Sequence, residues 1–361
     1  MENSASSPPE SPKKSEERPH AVKPCVVVAL SGGVDSSVTA ALLKEKGYSV
    51  VGVTLRMWPG APVVDAQRVA EALEIPFEVL EVGAAFREHV IEPFMGAYRH
   101  GRTPNPCILC NRFLKFGILL QHARARKALL ATGHYARVVR KPAGLGLQKA
   151  KSLSKDQSYF LFSLKEEQLE DIVFPLGEFS KSRIRRLARG YGLPTASKPD
   201  SMEVCFVPKN YVDFLEEQGL HMPEGDIVDK EGKVLGRHPG LHRFTVGQRR
   251  GLGNLGKSQP QYVVRLEAAK NQVVVGERAE VFTQCFALEA PSWVAGQPPF
   301  NRRLRVCIRH QHAGVMGELK PEGEGLKVEL EEGVAAITPG QAAVFYDEEE
   351  VLGGGWIARK D

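Results

Sequence analysis

The sequence predicts a doubly wound α/β domain built on a parallel sheet, followed by a small central domain and an all-β barrel. Three observations lead there. Short apolar runs alternate with helical segments through the first half of the chain; Pro, Gly and short strand signals replace that rhythm from about residue 206; and from about residue 260 short β runs follow one another between turns. Continuous apolar strands separated by helices mean a sheet buried on both faces, and such sheets bind ligands at the carboxyl ends of their strands. The expected boundaries are a disordered tail over 1–20, a catalytic domain over 21–205, a central connecting domain over 206–275 and a barrel over 276–361.

The elements follow in order. CVVVAL (25–30) is apolar, is bounded by Ser-Gly-Gly and reads as the first strand. Val38 to Lys46 is helix-like and stops at Gly47, and YSVVGVTL (48–55) is the second strand. A helix over 65–74, a strand over 77–82 (FEVLEV) and a helix over 84–99 repeat the cycle. After a loop, a helix starts near Arg112, and ALLATGHYARVV from 128 reads as a strand. Helices continue over about 165–190, and 181–192 is strongly basic through Lys181, Arg183, Arg185, Arg186 and Arg189. The later β runs include QYVVRL, NQVVVG, RLRVCIRH, LKVELEE and QAAVFYDEEEVLGGGWIA, with no internal repeat.

A chain of 361 residues, 42% hydrophobic and 25% charged, has ordinary globular composition and room for two or three domains. Its net charge of +5 is a modest hint of a polyanionic partner. No run of about 18 apolar residues is present, which argues against a membrane-spanning helix. The first twenty residues carry four acids against three bases and no apolar stretch, so neither a secretory signal nor a transit peptide is expected. Six cysteines without such a signal point to a reducing compartment, the cytoplasm, where thiols are more often chemical than structural. Cys25, Cys285 and Cys307 lie in strand-like runs and are expected to be buried filler.

The sharpest feature is Ser31-Gly32-Gly33-Val34-Asp35-Ser36-Ser37, placed after the first strand and before the first helix. Glycines let the backbone turn tightly against a ligand, and free N–H groups at a helix N-terminus make an anion site. The serines add donors, and Asp35 supplies a carboxylate able to hold Mg²⁺ against phosphates. The bland alternative is a helix capped by Asp or Ser after a Gly turn. Gly251-Leu-Gly-Asn-Leu-Gly-Lys-Ser258 formally matches two nucleotide motifs, but Gln259-Pro260-Gln261 and a strand follow it where a helix is needed.

Thr103-Pro-Asn-Pro-Cys-Ile-Leu-Cys-Asn111 holds a C-x2-C pair, Cys107 and Cys110, and Cys205 stands alone downstream. The second thiol is expected at a helix start, where the dipole lowers a thiol pKa. A zinc site lacks its second ligand pair, and a thioredoxin-type pair lacks its context. Sulfur chemistry with Cys205 remains, as a disulfide and persulfide pair or as three ligands of an iron–sulfur cluster.

The Ser31–Ser37 loop resembles the pyrophosphate loop of the ATP-pyrophosphatase superfamily, which cleaves ATP between the α and β phosphates; the lysine of an ordinary phosphate loop is absent. SGGVDSS, GRTPNPCILCNRFLKF, ATGHYARV, SKDQSYFLFSL, SMEVCFV, TVGQRRGLG and TPGQAAVFYDEEEVLGGGWI also occur in the order found in the tRNA-specific 2-thiouridylases, over about 24–358. The resemblance implies an ATP-pyrophosphatase fold (adenine nucleotide α-hydrolase-like), ATP and Mg²⁺ as cofactors, tRNA as partner and sulfur placed on C2 of the wobble uridine. It makes Cys110 the nucleophile and Cys205 the persulfide carrier. Ala29, Leu30, Ser31, Gly32, Gly33, Val34, Asp35 and Ser36 would hold the ATP phosphates, with Leu55 and Gly133 contacting the nucleoside by backbone. Asn105, Pro106 and Cys107 would face the target base, and His134, Lys155, Asp156, Gln157, Arg309, His310 and Gln341 would contact tRNA. The basic helix and the barrel would grip the tRNA backbone.

Two departures stand out. Position 107 is an aspartate in many members and a cysteine here, so Cys107, Cys110 and Cys205 form a three-thiol set like that of the branch with a [4Fe-4S] cluster. The segment WPGAPVVDAQ after Met57 is also shorter than usual. The implied chemistry is adenylation of the uracil O2 followed by sulfur attack on C2, the sulfur coming from a persulfide carrier protein or from sulfide. Two other classes compete: an ATP-pyrophosphatase that amidates or ligates a small metabolite, and an RNA-binding or sulfur-carrier module with a dead nucleotide site.

Overall fold

The computed structural model describes residues 23–61, 63–200, 204–207 and 210–358. The tail expected over 1–20 lies outside the described residues, as do the first three residues of SMEVCFV. Strands β1 (Cys25–Ala29), β2 (Ser49–Arg56), β3 (Phe77–Glu81) and β4 (Leu129–Ala131) are parallel and lie in the order β3-β2-β1-β4. β5 (Ala136–Lys141) and β6 (Gly144–Lys149) then form a hairpin that leaves this sheet, and β7 (Ile172–Val173) returns to its edge beside β4. Alternate residues of β1 face opposite layers: Val26 and Val28 pack against Val38 and Leu42 of the first helix, and Val27 packs with Leu119, Leu120 and Leu130.

A four-stranded sheet follows, β8 (Gly225–Val228), β9 (Val234–His238), β10 (Tyr262–Glu267) and β11 (Gln272–Gly276), in the order β10-β11-β8-β9. The last six strands are β12 (Phe282–Trp293), β13 (Leu304–Cys307), β14 (Val315–Glu322), β15 (Gly325–Ala335), β16 (Ala342–Asp347) and β17 (Glu350–Ile357). β12 pairs with both β15 and β17, which closes a six-stranded barrel. β6 adds to β17, so the hairpin from the first half of the chain extends the barrel sheet. One apolar core runs from Val27 and Leu130 of the parallel sheet to Ala342, Val344, Tyr346 and Val351 of the barrel. The barrel is therefore packed onto the sheet that carries the phosphate loop, and Tyr159 seals the joint by donating its hydroxyl to the Ala342 carbonyl at 2.9 Å.

Several sequence expectations change here. The first helix begins at Val34, not Val38, because Gly33 is the last extended residue before it. ALLATGHYARVV is not one strand: it breaks over 132–135, and its second half serves the barrel sheet as β5. The helix expected near Arg112 already starts at Pro106, where a proline suits the first helical position, and it widens into a π-helix over Cys110–Leu119. The stretch expected to be helical over 165–190 resolves into a Glu166–Leu169 turn of helix, β7 and a Lys181–Gly190 helix. Gly251–Ser258 is irregular and runs into β10 with no helix after it. No helix of the described residues is long and apolar enough to cross a membrane.

Candidate active site

The Ser31–Ser37 loop sits at the carboxyl end of β1, where the doubly wound layout puts ligands. Gly33 is the N-cap of the Val34–Glu45 helix and brings no side chain to its first N–H groups, so these are left for an anion. Gly32 has φ +69°, and a Cβ there would stand 2.7 Å from Cβ of Asp65; both the turn and the packing require glycine. Ser36 ties the loop together: its Oγ accepts from the Ser31 N–H at 3.1 Å and donates to the Gly33 carbonyl at 3.1 Å. Gly133 closes against the loop from the end of β4, since a Cβ there would meet the Ser36 nitrogen at 2.8 Å. Leu30 continues β1, with its N–H on Val53 O, and its carbonyl accepts from the Thr54 hydroxyl at 2.6 Å. Leu55 lies opposite Leu80 at the end of β2.

Around this loop stands a set of charges that sequence reasoning missed. Lys181 places its ammonium 2.8 Å from both carboxylate oxygens of Asp35 and 2.9 Å from Oδ1 of Asp200. Tyr135 donates its hydroxyl to Asp35 Oδ1 at 2.7 Å, and burial followed by the Asp35 charge pushes that phenol well up, so it stays a donor. Lys155 and Arg185 also reach Asp200, and Lys198 reaches Asp65 and the Gly32 carbonyl. Burial works to raise Asp200, but the ammoniums of Lys181 and Lys155 prevail and hold it down at about 2. The basic helix thus divides. Lys181 and Arg185, four residues apart and on one face, turn inward to carboxylates, while Arg183, Arg186 and Arg189 are exposed. An ammonium held between two carboxylates marks a point that suits a cation, so Asp35 and Asp200 fit the Mg²⁺ that accompanies ATP.

The thiols lie in a second pocket of the same face. Pro106 starts the helix, so Cys107 is in its first turn and Cys110 comes a turn later, packed in the cluster of Phe94, Leu114, Val207 and Phe214. The expected dipole-lowered thiol is corrected accordingly. Burial pushes Cys110 up, with Lys115 alone opposing it, and pushes Cys107 up as well. Cys205 is exposed on one side; crowding of the thiol, then the nearby Cys110 and Cys107, push it up to about 11. The three thiols are close enough to feel one another, and Lys115 is a cation that works on all of them. Asn111 was also missed: it is buried, donates to the Phe160 carbonyl at 3.1 Å, and its Oδ1 has no partner among the described residues.

Comparison with known proteins bears on what this arrangement belongs to. The tRNA methyl transferase HUP domain matches residues 24–209, the tRNA methyl transferase PRC-barrel domain 212–277 and the aminomethyltransferase beta-barrel domain 283–357. The tRNA-specific 2-thiouridylase MnmA of Trichlorobacter lovleyi is 46% identical over 344 residues, covering 92% of this chain and 97% of its own. That of Pelobacter propionicus is 47% identical over 345 residues, with the same two coverages of 92% and 97%. The chain belongs to the tRNA-specific 2-thiouridylase family. The domain descriptions mention methyl transfer, but a glycine-capped anion loop beside a set of thiols is what a thiouridylase needs.

Within that thiouridylase frame, the thiol expectations need correction. All six cysteines are free, so no disulfide joins Cys110 and Cys205. Among the described residues no three His, Cys, Asp or Glu side chains stand close enough together to hold a metal ion. Cys107, Cys110 and Cys205 therefore approach without forming a cluster site, because Cys205 rides on its own short segment beside the helix that carries the other two. No step below passes through an iron–sulfur group.

The residues expected on tRNA divide into those facing out and those with work inside the fold. Arg309 is exposed. Asn105 caps the Pro106 helix without using its side chain on the helix backbone, so the amide faces the thiol pocket unspent. Lys155 is bonded to Asp200 at 3.1 Å. Asp156 takes the Ala150 N–H at 2.8 Å and the Ser158 hydroxyl at 2.7 Å, and Gln157 Oε1 takes the Tyr135 N–H at 3.0 Å. His310 stacks on Phe160 at 4.4 Å with Nε2 toward the Asp156 carbonyl. Gln341 donates to the Thr103 carbonyl at 2.9 Å, next to the Thr103 N–H on Pro339 O and the bidentate Arg102–Glu289 pair. The barrel thereby holds the loop that leads into Asn105, Pro106 and Cys107.

His134 is interior. It lies between the rings of Phe116 and Phe174, with Nδ1 2.8 Å from the Thr132 hydroxyl, and burial then Lys115 lower it well below 6.5. Below pH 6.5 the unfolded chain takes up a proton that the folded chain refuses, so stability present at neutral pH falls with acid. Tm followed from pH 7 to 5 is expected to fall less steeply in His134→Gln than in wild type; equal slopes would contradict the buried neutral ring.

Proposed function

We propose that this chain carries out ATP-dependent 2-thiolation of the wobble uridine of tRNA. The observation that supports it most is the juxtaposition, on one face, of a glycine-capped anion loop with its carboxylates and a thiol pair of which one member is buried and the other exposed. A uracil C2 carbonyl is a poor electrophile and oxide a poor leaving group, so O2 attacks the α-phosphorus of ATP and pyrophosphate departs. The N–H groups of Gly33 to Ser36 and the Ser31 and Ser36 hydroxyls receive the phosphates, Gly133 and Leu55 lie along the nucleoside, and Asp35 with Asp200 holds Mg²⁺. When bound, that ion spreads the phosphate charge.

Sulfur follows. Cys205, exposed, takes a sulfane sulfur from a persulfide donor protein to become Cys205–S–SH. The Cys110 thiolate attacks the Cys205 sulfur, releasing hydrosulfide as the Cys110–Cys205 disulfide forms. Hydrosulfide adds to C2, AMP leaves with the former O2 and a proton is lost. A thiol reductant and a fresh donor restore the pair. Asn105 and Cys107 flank the flipped base, while Arg309 and the outer arginines of the Lys181–Gly190 helix meet tRNA phosphates. Asp156, Gln157, His310 and Gln341 act one layer back, shaping the surface that meets tRNA.

Digested tRNA from a strain lacking this gene tests the reading. Loss of 2-thiouridine derivatives, restored by the wild-type gene, is expected. Unchanged levels in a strain with no second copy would refute it, and AMP formation that ignores tRNA but responds to ammonia or an amino acid would favour a small-metabolite ligase.

A further inference from the structure

The loop after β1 has no lysine, yet cleavage of ATP between its α and β phosphates puts new negative charge on a pyrophosphate. We propose that Lys181, from a helix 146 residues downstream of Asp35, supplies the missing cation and contacts the β and γ phosphates of ATP. The inference rests on the reading of Ser31–Ser37 as an ATP site and deepens it.

Without nucleotide, the Lys181 ammonium has three carboxylate oxygens within 2.9 Å, two from Asp35 and one from Asp200. Its three donors thus face anionic oxygens, the partners a polyphosphate also offers. Asp35 cannot serve Lys181 and Mg²⁺ at once, because both seek the same oxygens. Arrival of Mg·ATP therefore turns the ammonium away from Asp35 and toward the adjacent phosphates. Asp200 keeps it in place, and Asp200 is itself fixed by Arg185 and Lys155. The group is pre-positioned as well. Ser180 caps the Lys181–Gly190 helix by accepting from the Arg183 N–H, which sets Lys181 as its first residue, and the side chain is only 15% exposed. As the α-phosphorus–oxygen bond breaks, its electron pair goes to the pyrophosphate oxygen, and Lys181 compensates that charge. Lys198, bonded to Asp65 and the Gly32 carbonyl, stands on the other side of the loop.

The α-phosphate of AMP and the terminal phosphates of ATP separate this role from a merely structural one. Isothermal titration with Mg²⁺ and α,β-methylene-ATP, with inorganic pyrophosphate and with AMP is carried out on wild type, Lys181→Met and Lys181→Arg. Lys181→Met is expected to weaken the ATP analogue and pyrophosphate by about tenfold to a hundredfold, the usual worth of a charged hydrogen bond, and to leave AMP within about twofold. Lys181→Arg is expected to retain most of the analogue affinity. Asp35 is 32% exposed and keeps its bond from Tyr135, so the Met variant is expected to fold; should it not, Lys181→Gln takes its place. Analogue affinity unchanged within about twofold, or equal weakening of analogue and AMP, would overturn the proposal. Wild type that binds no ATP analogue would instead overturn the ATP site itself.

Discussion

Cys110→Ser and Cys205→Ser are each expected to lower 2-thiouridine formation by on the order of a thousandfold or more, since an alcohol replaces the sulfur that must be attacked or must attack. Each variant is expected still to bind ATP and to release pyrophosphate with tRNA, because both thiols lie apart from the Gly33-capped loop. The two defects differ in kind. Cys205→Ser fails to take up labelled sulfur from a persulfide donor, whereas Cys110→Ser takes it up on Cys205 and holds it. Burial of Cys110 and exposure of Cys205 give that order its physical basis: a donor protein reaches only the exposed thiol. The raised thiols add a pH dependence. With Cys205 pushed up to about 11 and Cys110 raised in the same direction, the thiolate fraction grows throughout the range from pH 7 to 9, and so does single-turnover sulfur transfer. Equal label uptake by wild type and Cys205→Ser would contradict the assignment.

Asp35→Ala is expected to lower tRNA-dependent AMP formation and thiolation together, by about a hundredfold to a thousandfold in kcat/KM, on the scale of losing a preorganised electrostatic contact. The carboxylate holds Lys181 and accepts from Tyr135, so its loss removes a ligand for Mg²⁺ and unfixes two neighbours at once. tRNA affinity, measured by filter binding, is expected to stay within about threefold, since Asp35 faces the nucleotide and not the outer arginines. Full thiolation by Asp35→Ala would instead support an RNA-binding or sulfur-carrier module whose nucleotide site is idle.

How much of this was legible in the sequence follows from the range of the interactions. The phosphate loop is local: an apolar run, two glycines and the serines lie within a dozen residues, and the structure puts Gly32 in the left-handed conformation such a turn needs. The C-x2-C pair and its prolines are equally local. What sequence reasoning missed is long-range. Lys181 was counted as part of a uniformly basic surface helix, because nothing near residue 181 announces carboxylates that come from positions 35 and 200. Cys110 was given a low pKa from helix position alone, whereas burial by Phe94 and Phe214 is a tertiary property that outweighs it. The β5–β6 hairpin was folded into the first domain on continuity of the chain, although its hydrogen bonds go to β17, some two hundred residues on. Gln341 was read as a tRNA contact, and only the docked barrel reveals its bond to Thr103.

The central claim is that ATP activates the uracil oxygen and that sulfur then replaces it. A tRNA carrying ¹⁸O at C2 of its wobble uridine, incubated with wild-type protein, Mg·ATP and a persulfide donor, tests this directly by mass spectrometry of the AMP. One ¹⁸O in AMP for each 2-thiouridine formed is the predicted result. Unlabelled AMP, with the heavy oxygen in water or in pyrophosphate, would contradict the account.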